Sequence, residues 1–285
     1  MKKQIDCFIK NIEMVGVYKI RNEVFYNSIL INMKYFSSLF LIVQFVFAQN
    51  KMKPEETEFW EPEPQVVQPG IYNAPPSDAI VLFDGSDFSK WRNEKTQEAV
   101  EWTLNPDKTM TVKPGTGSIE TTEEHGSIQL HIEWKSPIDD KGEGQFRGNS
   151  GIFFQRRYEV QVLNSYQNRT YSNGQAGSIY KQYAPLVNAM LPSGEWQVYD
   201  IVFNVPEFNE AGDEIKPGSF IVFHNGVLIQ NSTEIQGTTE YIGYPKKGRD
   251  LGFCCTQENT RQTLMLQDHD NNGSVSYRNI WMRKL

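Results

Sequence analysis

The sequence predicts an all-β fold, an antiparallel β-sandwich or jelly roll, on three observations. From Ile80 onwards, short stretches of alternating apolar and polar residues are separated by Gly, Pro, Asn and Asp, which is typical of strands joined by turns. No long segment has the period of about 3.6 residues that marks an amphipathic helix. Aromatic residues, which strands favour, make up 13% of the 285 residues. This length suits one large all-β domain.

Strict alternation is clearest in residues 127–135, where His131 and Glu133 share the face opposite to the apolar side chains. An Asn225-Gly226 pair between two apolar stretches predicts a tight hairpin. The other predicted strands are residues 151–163, 196–205, 219–230 and 275–282. Strands of this kind, packed as two antiparallel sheets, form the predicted sandwich.

The N-terminal region predicts an exported protein. Residues 33–48 combine an early lysine, a short apolar stretch and a small residue at the end, which is the pattern of a secretory signal peptide. An uncleaved N-terminal anchor is the alternative. Residues 1–32 are interpreted as an extension upstream of the true start of translation. Residues 49–77, rich in Pro and Glu, predict an extended lead-in, and residues 78–285 the single sandwich domain.

Charge and cysteine content argue against several classes of protein. The formal net charge of -7 indicates neither a nucleic-acid partner nor attraction to an anionic membrane surface. Cys7 lies in the N-terminal extension, and Cys254 and Cys255 are adjacent, a spacing that rarely permits a mutual disulfide. No CxxC pair or Cys/His cluster indicates structural zinc. The fold is therefore expected to depend on neither disulfides nor zinc.

Four polar side chains share one parity of the predicted strand at 151–163: Gln155, Arg157, Glu159 and Gln161. On one strand they would project from the same sheet face, spaced by about 7 Å. A charged, amide-rich row of this kind can bind sugar hydroxyls. The alternative is an ordinary solvated outer face.

Further candidates for sugar binding lie in Gly-bearing loops: Asn149, Tyr180, Lys181 and Gln182. Loop polar groups and an aromatic ring on a rigid scaffold are typical of such sites, although turn stabilisation is the alternative for Asn149. His131 and Glu133 would line the same groove if their strand is adjacent.

Residues 268–273 begin like a calcium-binding loop, but the twelfth position of that pattern is Asn279 rather than Glu. An EF-hand site is therefore not expected. A looser site for a divalent metal ion stays open, with three candidate ligands: Glu159, His269 and Asp268. No other cofactor is predicted.

Several segments of residues 78–285 occur in the order found in one bacterial family. They include AIVLFDGSDFSKW, GNSGIFFQRRYEVQVLNS and LQDH, and they cover residues 79–91, 148–165, 174–189, 194–203, 224–230, 266–269 and 277–285. Together they resemble the 3-keto-disaccharide hydrolase family. In one departure, the loop at 241–264 lacks a His that family members often carry.

The resemblance implies a concanavalin A-like β-sandwich in the periplasm or cell envelope of a bacterium. It also implies a substrate, a glycoside or disaccharide, that a partner sugar 3-oxidoreductase has oxidised to a ketone at C3. Cleavage would proceed by removal of the C2 proton and β-elimination, followed by hydration. His269 is the expected base and Glu159 the acid or a metal ligand, with Gln161 and Gln267 as orienting groups.

Two alternatives stay open on the sequence alone. One is conventional glycoside hydrolysis by two carboxylates, with Glu133 and Glu159 as the pair, which requires their carboxyl groups to lie about 5–9.5 Å apart. The other is a carbohydrate-binding module without catalysis, because the sandwich fold serves both roles.

Overall fold

The structure is a computed structural model and describes residues 52–247, 262–269 and 274–285. The predicted signal peptide and the extension before it lie outside the described residues, as do all three cysteines and most of the calcium-loop pattern. Within the described ranges, no helix is long and apolar enough to cross a membrane.

The chain divides into two compact units, Met1–Gln65 and Val66–Leu285. The described part of the first unit contains a short 3-10 helix, Pro54–Thr57. The second unit contains two further 3-10 helices, Gly144–Phe146 and Ser172–Gly174, together with the strands.

The described part of the second unit forms fifteen strands. In chain order they are β1 (Ile80–Phe83), β2 (Trp91–Asn93), β3 (Thr103–Leu104), β4 (Met110–Thr111), β5 (Ile119–His125), β6 (Ile128–Lys135), β7 (Ser150–Phe154), β8 (Tyr158–Val162), β9 (Gln197–Asn204), β10 (Glu207–Phe208), β11 (Glu214–Lys216), β12 (Ser219–His224), β13 (Val227–Glu234), β14 (Gln262–Leu266) and β15 (Ser276–Lys284). The predicted strands at 127–135, 196–205 and 275–282 and the hairpin of 219–230 are confirmed, within one or a few residues at their ends.

Two antiparallel sheets face each other. One has eight strands in the order β13-β12-β9-β6-β15-β4-β3, with β1 also paired to β15, and the other has the order β2-β5-β14-β7-β8. Strands β10 and β11 form a separate pair. Between the sheets, the rings of Phe154 and Phe203 lie 5.0 Å apart, and the Tyr199 hydroxyl donates to the Gln161 carbonyl at 3.0 Å. The predicted antiparallel sandwich, concanavalin A-like as the resemblance implies, is confirmed.

Side-chain parity on β6 determines what lies in the core. Ile128, Leu130, Ile132 and Trp134 are fully buried between the sheets, and burial of each such side chain contributes about 1.5–3 kcal/mol. The residues between them, which include His131, therefore lie on the outer face of the eight-stranded sheet.

The predicted strand at 151–163 is wrong in one respect, because it is a hairpin. Strands β7 and β8 pair with each other, and the chain turns at Gln155 and Arg156, whose φ angles are 52° and 59°. Tight turns with positive φ at both central residues favour Asn-Gly, as at Asn225 and Gly226, with φ of 52° and 78°. The Gln155-Arg156 pair is not a typical turn sequence. The alternation of residues therefore predicted one continuous strand through this turn.

Candidate active site

The outer face of the five-stranded sheet carries a cavity of about 260 Å³, which we call the acid cavity. Its floor comes from alternate residues on paired strands, because Phe153 on β7 lies opposite Glu159 on β8 and the next such position on β8 is Gln161. The lining residues are Asn149, Phe153, Glu159, Gln161, Tyr180, Thr239, Tyr241, Gln267 and His269.

Glu159 is the central group of the acid cavity. Its side chain is buried, and among the described residues no hydrogen bond reaches its carboxyl group. Burial raises the pKa of this carboxyl to about 8, because the charged form loses its hydration without a compensating partner. Glu159 is therefore mostly protonated at neutral pH and can donate a proton.

Gly151 makes room for this carboxyl group. A Cβ atom at Gly151 would lie 2.5 Å from Oε1 of Glu159 and 2.7 Å from the ring of Phe153. Both contacts are closer than real Cβ atoms approach other heavy atoms, so only glycine leaves the acid in this position.

Three carboxamide oxygens around the acid cavity are buried and lack a hydrogen-bond partner within the described part of the chain: Asn149 Oδ1, Gln161 Oε1 and Gln267 Oε1. An unpaired buried acceptor costs about 1–3 kcal/mol. Sugar hydroxyls would supply the missing donors. Three such atoms around one cavity indicate a binding site for a polyhydroxylated ligand.

Hydrogen bonds at the opposite ends of these side chains hold them in place. The Gln161 Nε2 group donates to Gln145 Oε1 at 3.0 Å, and the Asn149 Nδ2 group donates to the Gln145 carbonyl at 2.8 Å. The Gln267 backbone N–H donates to the Gly151 carbonyl at 3.0 Å. These bonds fix the Asn149 and Gln161 carboxamides and the Gln267 backbone beside the cavity.

A second cavity of about 440 Å³, the aromatic cavity, adjoins the acid cavity. Its lining residues are Gln145, Phe146, Asn149, Tyr171, Tyr180, Lys181, Tyr241 and His269. The hydroxyl groups of Tyr171 and Tyr180 share a hydrogen bond of 2.6 Å. The Tyr171 ring packs on Gly174, where a Cβ atom would lie 2.1 Å from the ring.

His269 lines both cavities. Its neighbour Asp268 is anchored to the adjacent loop, because Oδ2 accepts a hydrogen bond from the Gly117 N–H at 2.9 Å and the Asp268 N–H donates to Ser118 Oγ at 3.1 Å. These bonds fix the chain beyond β14 and thereby the approach of the imidazole to the cavities.

The predicted site residues that share these cavities are seven in number: Asn149, Glu159, Gln161, Tyr180, Lys181, Gln267 and His269. The structure therefore brings both expected catalytic side chains to one place. Their chemical roles remain predictions.

His131 and Glu133 do not line these cavities and lie on the outer face of the eight-stranded sheet. His131 Nδ1 bonds Asp200 Oδ1 at 2.7 Å, and Arg278 Nε donates to Glu133 Oε2 at 2.6 Å. The sandwich separates Glu133 from Glu159, and two packed sheets are about 10 Å apart even before their outer faces are reached. The two carboxylates therefore cannot act as a glycosidase pair.

Burial would lower the pKa of His131, but its hydrogen bonds with Asp200 and Glu133 outweigh burial and raise it to about 8. Burial would likewise raise the pKa of Glu133, but hydrogen bonds with His131, Asn279 and Arg278 lower it to about 2. Both groups are charged at neutral pH and satisfied by protein partners. They form an ionic cluster on this face rather than part of the predicted sugar groove.

Three other predicted binding residues have structural contacts instead. Gln155 lies in the turn, and its Nε2 group donates to the His125 carbonyl at 3.4 Å. The Arg157 carbonyl, also at the turn, accepts a hydrogen bond from the Thr239 N–H at 2.7 Å. Gln182 joins two loops through its donation to the Gly237 carbonyl at 3.0 Å. The unrecognised turn placed Gln155 outside strand β8.

The sequence reasoning missed six lining residues: Gln145, Phe146, Phe153, Tyr171, Thr239 and Tyr241. Phe153 could have been predicted from the sequence. It alternates with Ile152 and Phe154, which face the core, so its side chain is expected on the outer face. The others lie in loops whose approach to the sheet depends on contacts between distant residues. No local pattern marks them.

A metal ion would find a limited set of ligands at this site. The described residues contain no group of three His, Cys, Asp or Glu side chains arranged to hold one. Glu159 and His269 share the acid cavity with hard carboxamide oxygens, whereas one carboxylate oxygen of Asp268 is engaged by Gly117. Among the described residues that line the acid cavity, Glu159, His269 and the amide oxygens are the groups that could contact an ion.

Comparison with known proteins indicates the family and the fold. A candidate glycosyl hydrolase from Parabacteroides distasonis is 46% identical, covering 82% of this chain and 97% of its own, with a TM-score of 0.75. A second candidate glycosyl hydrolase from the same organism is 18% identical, covering 73% and 94%, with a TM-score of 0.52, and shows the fold alone. No curated protein matches this sequence.

The family model of the 3-keto-alpha-glucoside-1,2-lyase-like domain matches residues 78–283. This range contains the whole of both cavities, including Glu159 and His269. Family and fold together indicate a glycosyl hydrolase-like, carbohydrate-active enzyme, and the family resemblance read from the sequence is confirmed. The chain belongs to the 3-keto-alpha-glucoside-1,2-lyase-like domain family.

Proposed function

We propose that the protein cleaves the glycosidic bond of 3-keto-glycosides by elimination followed by hydration. The observation that carries this proposal is the acid cavity itself. It combines a buried carboxyl group that is protonated at neutral pH, an imidazole, and three unpaired carboxamide oxygens. An acid, a base and acceptors for sugar hydroxyls are the groups that this reaction needs.

The ketone at C3 makes the reaction accessible to ordinary side chains. It acidifies the C2 proton, because the electron pair left on C2 is delocalised into the carbonyl group as an enolate. When the C3 carbonyl re-forms, a C1=C2 double bond is made and the C1–O bond breaks. The departing oxygen takes up a proton. Water then adds across C1=C2, with its hydroxyl on C1 and its proton on C2, to complete a net hydrolysis.

In this scheme His269 takes the C2 proton and Glu159 protonates the departing oxygen. The roles reverse in the second half, when the ionised Glu159 takes a proton from water and the imidazolium of His269 returns a proton to C2. The pKa of about 8 for Glu159 supports the first role, since a general acid works best with a pKa near the working pH.

Gln161 and Gln267 are the proposed orienting groups, because their carboxamides line the cavity beside Glu159. The enolate oxygen also needs a hydrogen-bond donor or a cation beside it. A divalent ion would supply this cation, but an ion held by Glu159 and His269 would take both groups away from acid–base chemistry. Activity with and without a chelator distinguishes the two schemes.

A carbohydrate-binding module is the second candidate function. The exposed rings of Phe146, Tyr171 and Tyr241 favour it, because aromatic rings stack on sugar faces. A lectin site has no need of a buried carboxyl group with a strongly raised pKa, which is typical of catalytic acids. This difference favours the enzyme.

Export and a partner enzyme complete the proposal. The signal-peptide pattern at residues 33–48 supports export to the periplasm or cell envelope. The substrate must already carry a ketone at C3, so a sugar 3-oxidoreductase has to act first.

The test is incubation of the chain from Gln49 with matched 3-keto and unoxidised glucosides, with and without chelator, and measurement of aglycone release. Release only from the keto sugar is expected. His269→Ala should lower the rate by about 10²–10⁴-fold, the usual contribution of a general base, while circular dichroism and thermal unfolding stay as in the wild type.

Four outcomes would contradict parts of the proposal. Release from the unoxidised glucoside would indicate conventional hydrolysis, and release from neither would favour a binding module. Undiminished cleavage by the folded His269→Ala variant would remove this residue as the base. Loss of activity with chelator, restored by added metal, would assign the enolate to a metal ion.

A further inference from the structure

The aromatic cavity differs in chemistry from the acid cavity that it adjoins. The two share four lining residues: Asn149, Tyr180, Tyr241 and His269. A ligand whose sugar lies against Glu159 can therefore extend into the aromatic cavity. We assign to this cavity the part of the substrate that leaves from C1 in the proposed function.

The ammonium group of Lys181 stands at this aromatic cavity. Its Nζ donates one hydrogen bond to the Tyr241 carbonyl and lies 4.6 Å from the centroid of the Tyr241 ring. The ring centroids of Tyr171 and Tyr180 are 5.9 Å and 6.0 Å away. Because an ammonium group has three donors, further donors remain for a ligand.

Among the described residues, no acidic side chain in the cavity matches the charge of Lys181. No Asp or Glu belongs to the described lining of the aromatic cavity. By contrast, Lys216 and Lys284 each contact a glutamate at 2.8 Å. Lys181 therefore brings to the aromatic cavity a positive charge that no described lining residue neutralises.

The rings of this cavity present faces to a flat ligand. Phe146 and Tyr241 are 71% and 72% exposed, although aromatic side chains favour burial. Tyr171 is held by its packing on Gly174 and by its hydrogen bond with Tyr180. Faces of this kind stack on aryl groups and on the apolar faces of sugar rings.

We propose that the leaving group of the substrate is a ring that bears a negative charge, and that Lys181 selects for this charge. This inference rests on the proposed function. The shared ligand chemistry is a carboxylated ring, either an aryl carboxylate or a uronic acid. The rings bind its faces and the ammonium group of Lys181 binds its carboxylate.

The test compares leaving groups of equal shape and different charge. The aryl pair is the 3-keto-glucoside of 4-hydroxybenzoate and that of 4-hydroxybenzamide, both anomers of each. The amide is slightly the better leaving group, so intrinsic reactivity works against the expected result. A second pair has glucuronic acid or glucose as the leaving sugar. The measured quantity is the ratio of kcat/KM, acid over neutral, in each pair.

The wild type is expected to favour the acid by about tenfold, the effect of one charged hydrogen bond at a partly exposed site. The ratio should fall towards one in Lys181→Met and at high salt, and should be largely kept in Lys181→Arg. The pair that shows the preference identifies the leaving group as aryl or uronate.

Equal kcat/KM for acid and neutral substrates in both pairs would overturn the inference while the proposed function stands. A preference that survives in a folded Lys181→Met variant would overturn the role of Lys181. Cleavage of none of these substrates would instead count against the proposed function.

Discussion

Glu133 and Glu159 are carboxyl groups with little exposed surface, 5% and 4% of each residue, on opposite outer faces of one sandwich. Their pKa values differ widely, at about 2 for Glu133 and about 8 for Glu159. Exposed surface alone therefore does not determine which form a carboxyl group takes. Glu159 is enclosed more deeply by protein, and only Glu133 has partners that favour its charged form.

Glu133 has three partners. Arg278 Nε donates to Oε2 at 2.6 Å, Asn279 Nδ2 donates to Oε1 at 2.9 Å, and His131 Nε2 lies 3.5 Å from Oε1. The carboxyl group of Glu159 instead lies beside Gly151, which has no side chain, and close to the Phe153 ring and the unpaired amide oxygens. A satisfied charge stabilises the fold, whereas an unsatisfied acid destabilises it and is retained where chemistry needs it.

The largest expected effect is that of Glu159→Gln. Its folded pKa of about 8 lies above the ordinary glutamate pKa of 4.5, so stability is full below pH 4.5 and is lost as the pH rises to 8, because the unfolded chain ionises first. The variant avoids this loss and should be more stable by up to about 5 kcal/mol at pH 8. Cleavage should fall by about 10²–10⁴-fold.

Urea unfolding of both proteins between pH 4 and 9 measures this effect. The gap in unfolding free energy should be near zero at pH 4 and grow with pH. A constant gap would mean that Glu159 is ionised in the folded protein, and the assignment as an acid would then be wrong.

The matched control is Glu133→Gln, which makes the same chemical change on the opposite face. Its carboxyl has a pKa lowered to about 2 from 4.5, so its stabilisation is present above pH 4.5 and is lost as the pH falls towards 2. The free energy of unfolding of this variant should be about 3 kcal/mol lower than that of the wild type at pH 7, and its kcat/KM should be unchanged. A stabilised variant, or one with reduced kcat/KM, would contradict the contrast between the faces.

The third effect concerns His131, which faces Asp200 and Glu133 and stacks on Trp281 with a centroid distance of 5.0 Å. Its pKa is raised from 6.5 to about 8, so its charge stabilises the fold fully below pH 6.5, and this stabilisation is lost as the pH rises through 8. His131→Gln should therefore lower the free energy of unfolding by about 2 kcal/mol more at pH 5.5 than at pH 9.

Thermal or urea unfolding at the two pH values measures this difference. The lost stacking on Trp281 affects both pH values alike and cancels in the comparison. A cost that does not change with pH would show that His131 is neutral in the folded protein. The double variant His131→Gln/Glu133→Gln should lose less free energy of unfolding than the sum of the losses in the two single variants, since the two residues are in contact.

The fold could be predicted from the sequence because alternation within one strand determines which side chains are buried. Residues 127–135 show this, since their apolar set became the core face of β6. The Gln155-Arg156 turn could not be predicted in the same way, because its positive φ angles are imposed on residues that do not favour them. Tertiary contacts overrode the local preference there.

The site could be predicted only in part, for a related reason. The alternation of side chains along β8 predicted which residues share a face with Glu159, and the family motifs indicated His269 and Gln267. Parity cannot tell which of two sheets a strand joins. Strand β6 pairs with β9 and β15, whereas β8 pairs with β7, and these long-range pairings separate Glu133 from Glu159.

The last expected effect is that of Gly151→Ala, which sharpens the comparison without altering a titrating group. The new methyl group would overlap Oε1 of Glu159 and the Phe153 ring, which are 2.5 Å and 2.7 Å from the Cβ position. Both are ends of side chains, so the fold should persist with a loss of about 1–3 kcal/mol. Displacement of the acid should lower kcat/KM by about tenfold or more.

Gly126→Ala is the matched control, since a Cβ atom there meets nothing within 4 Å. It should leave both stability and kcat/KM near the wild-type values. If Gly151→Ala also keeps full activity while folded, the position of Glu159 is not critical to cleavage. If instead only kcat falls and the pH profile shifts, the space at Gly151 sets the environment that keeps Glu159 protonated.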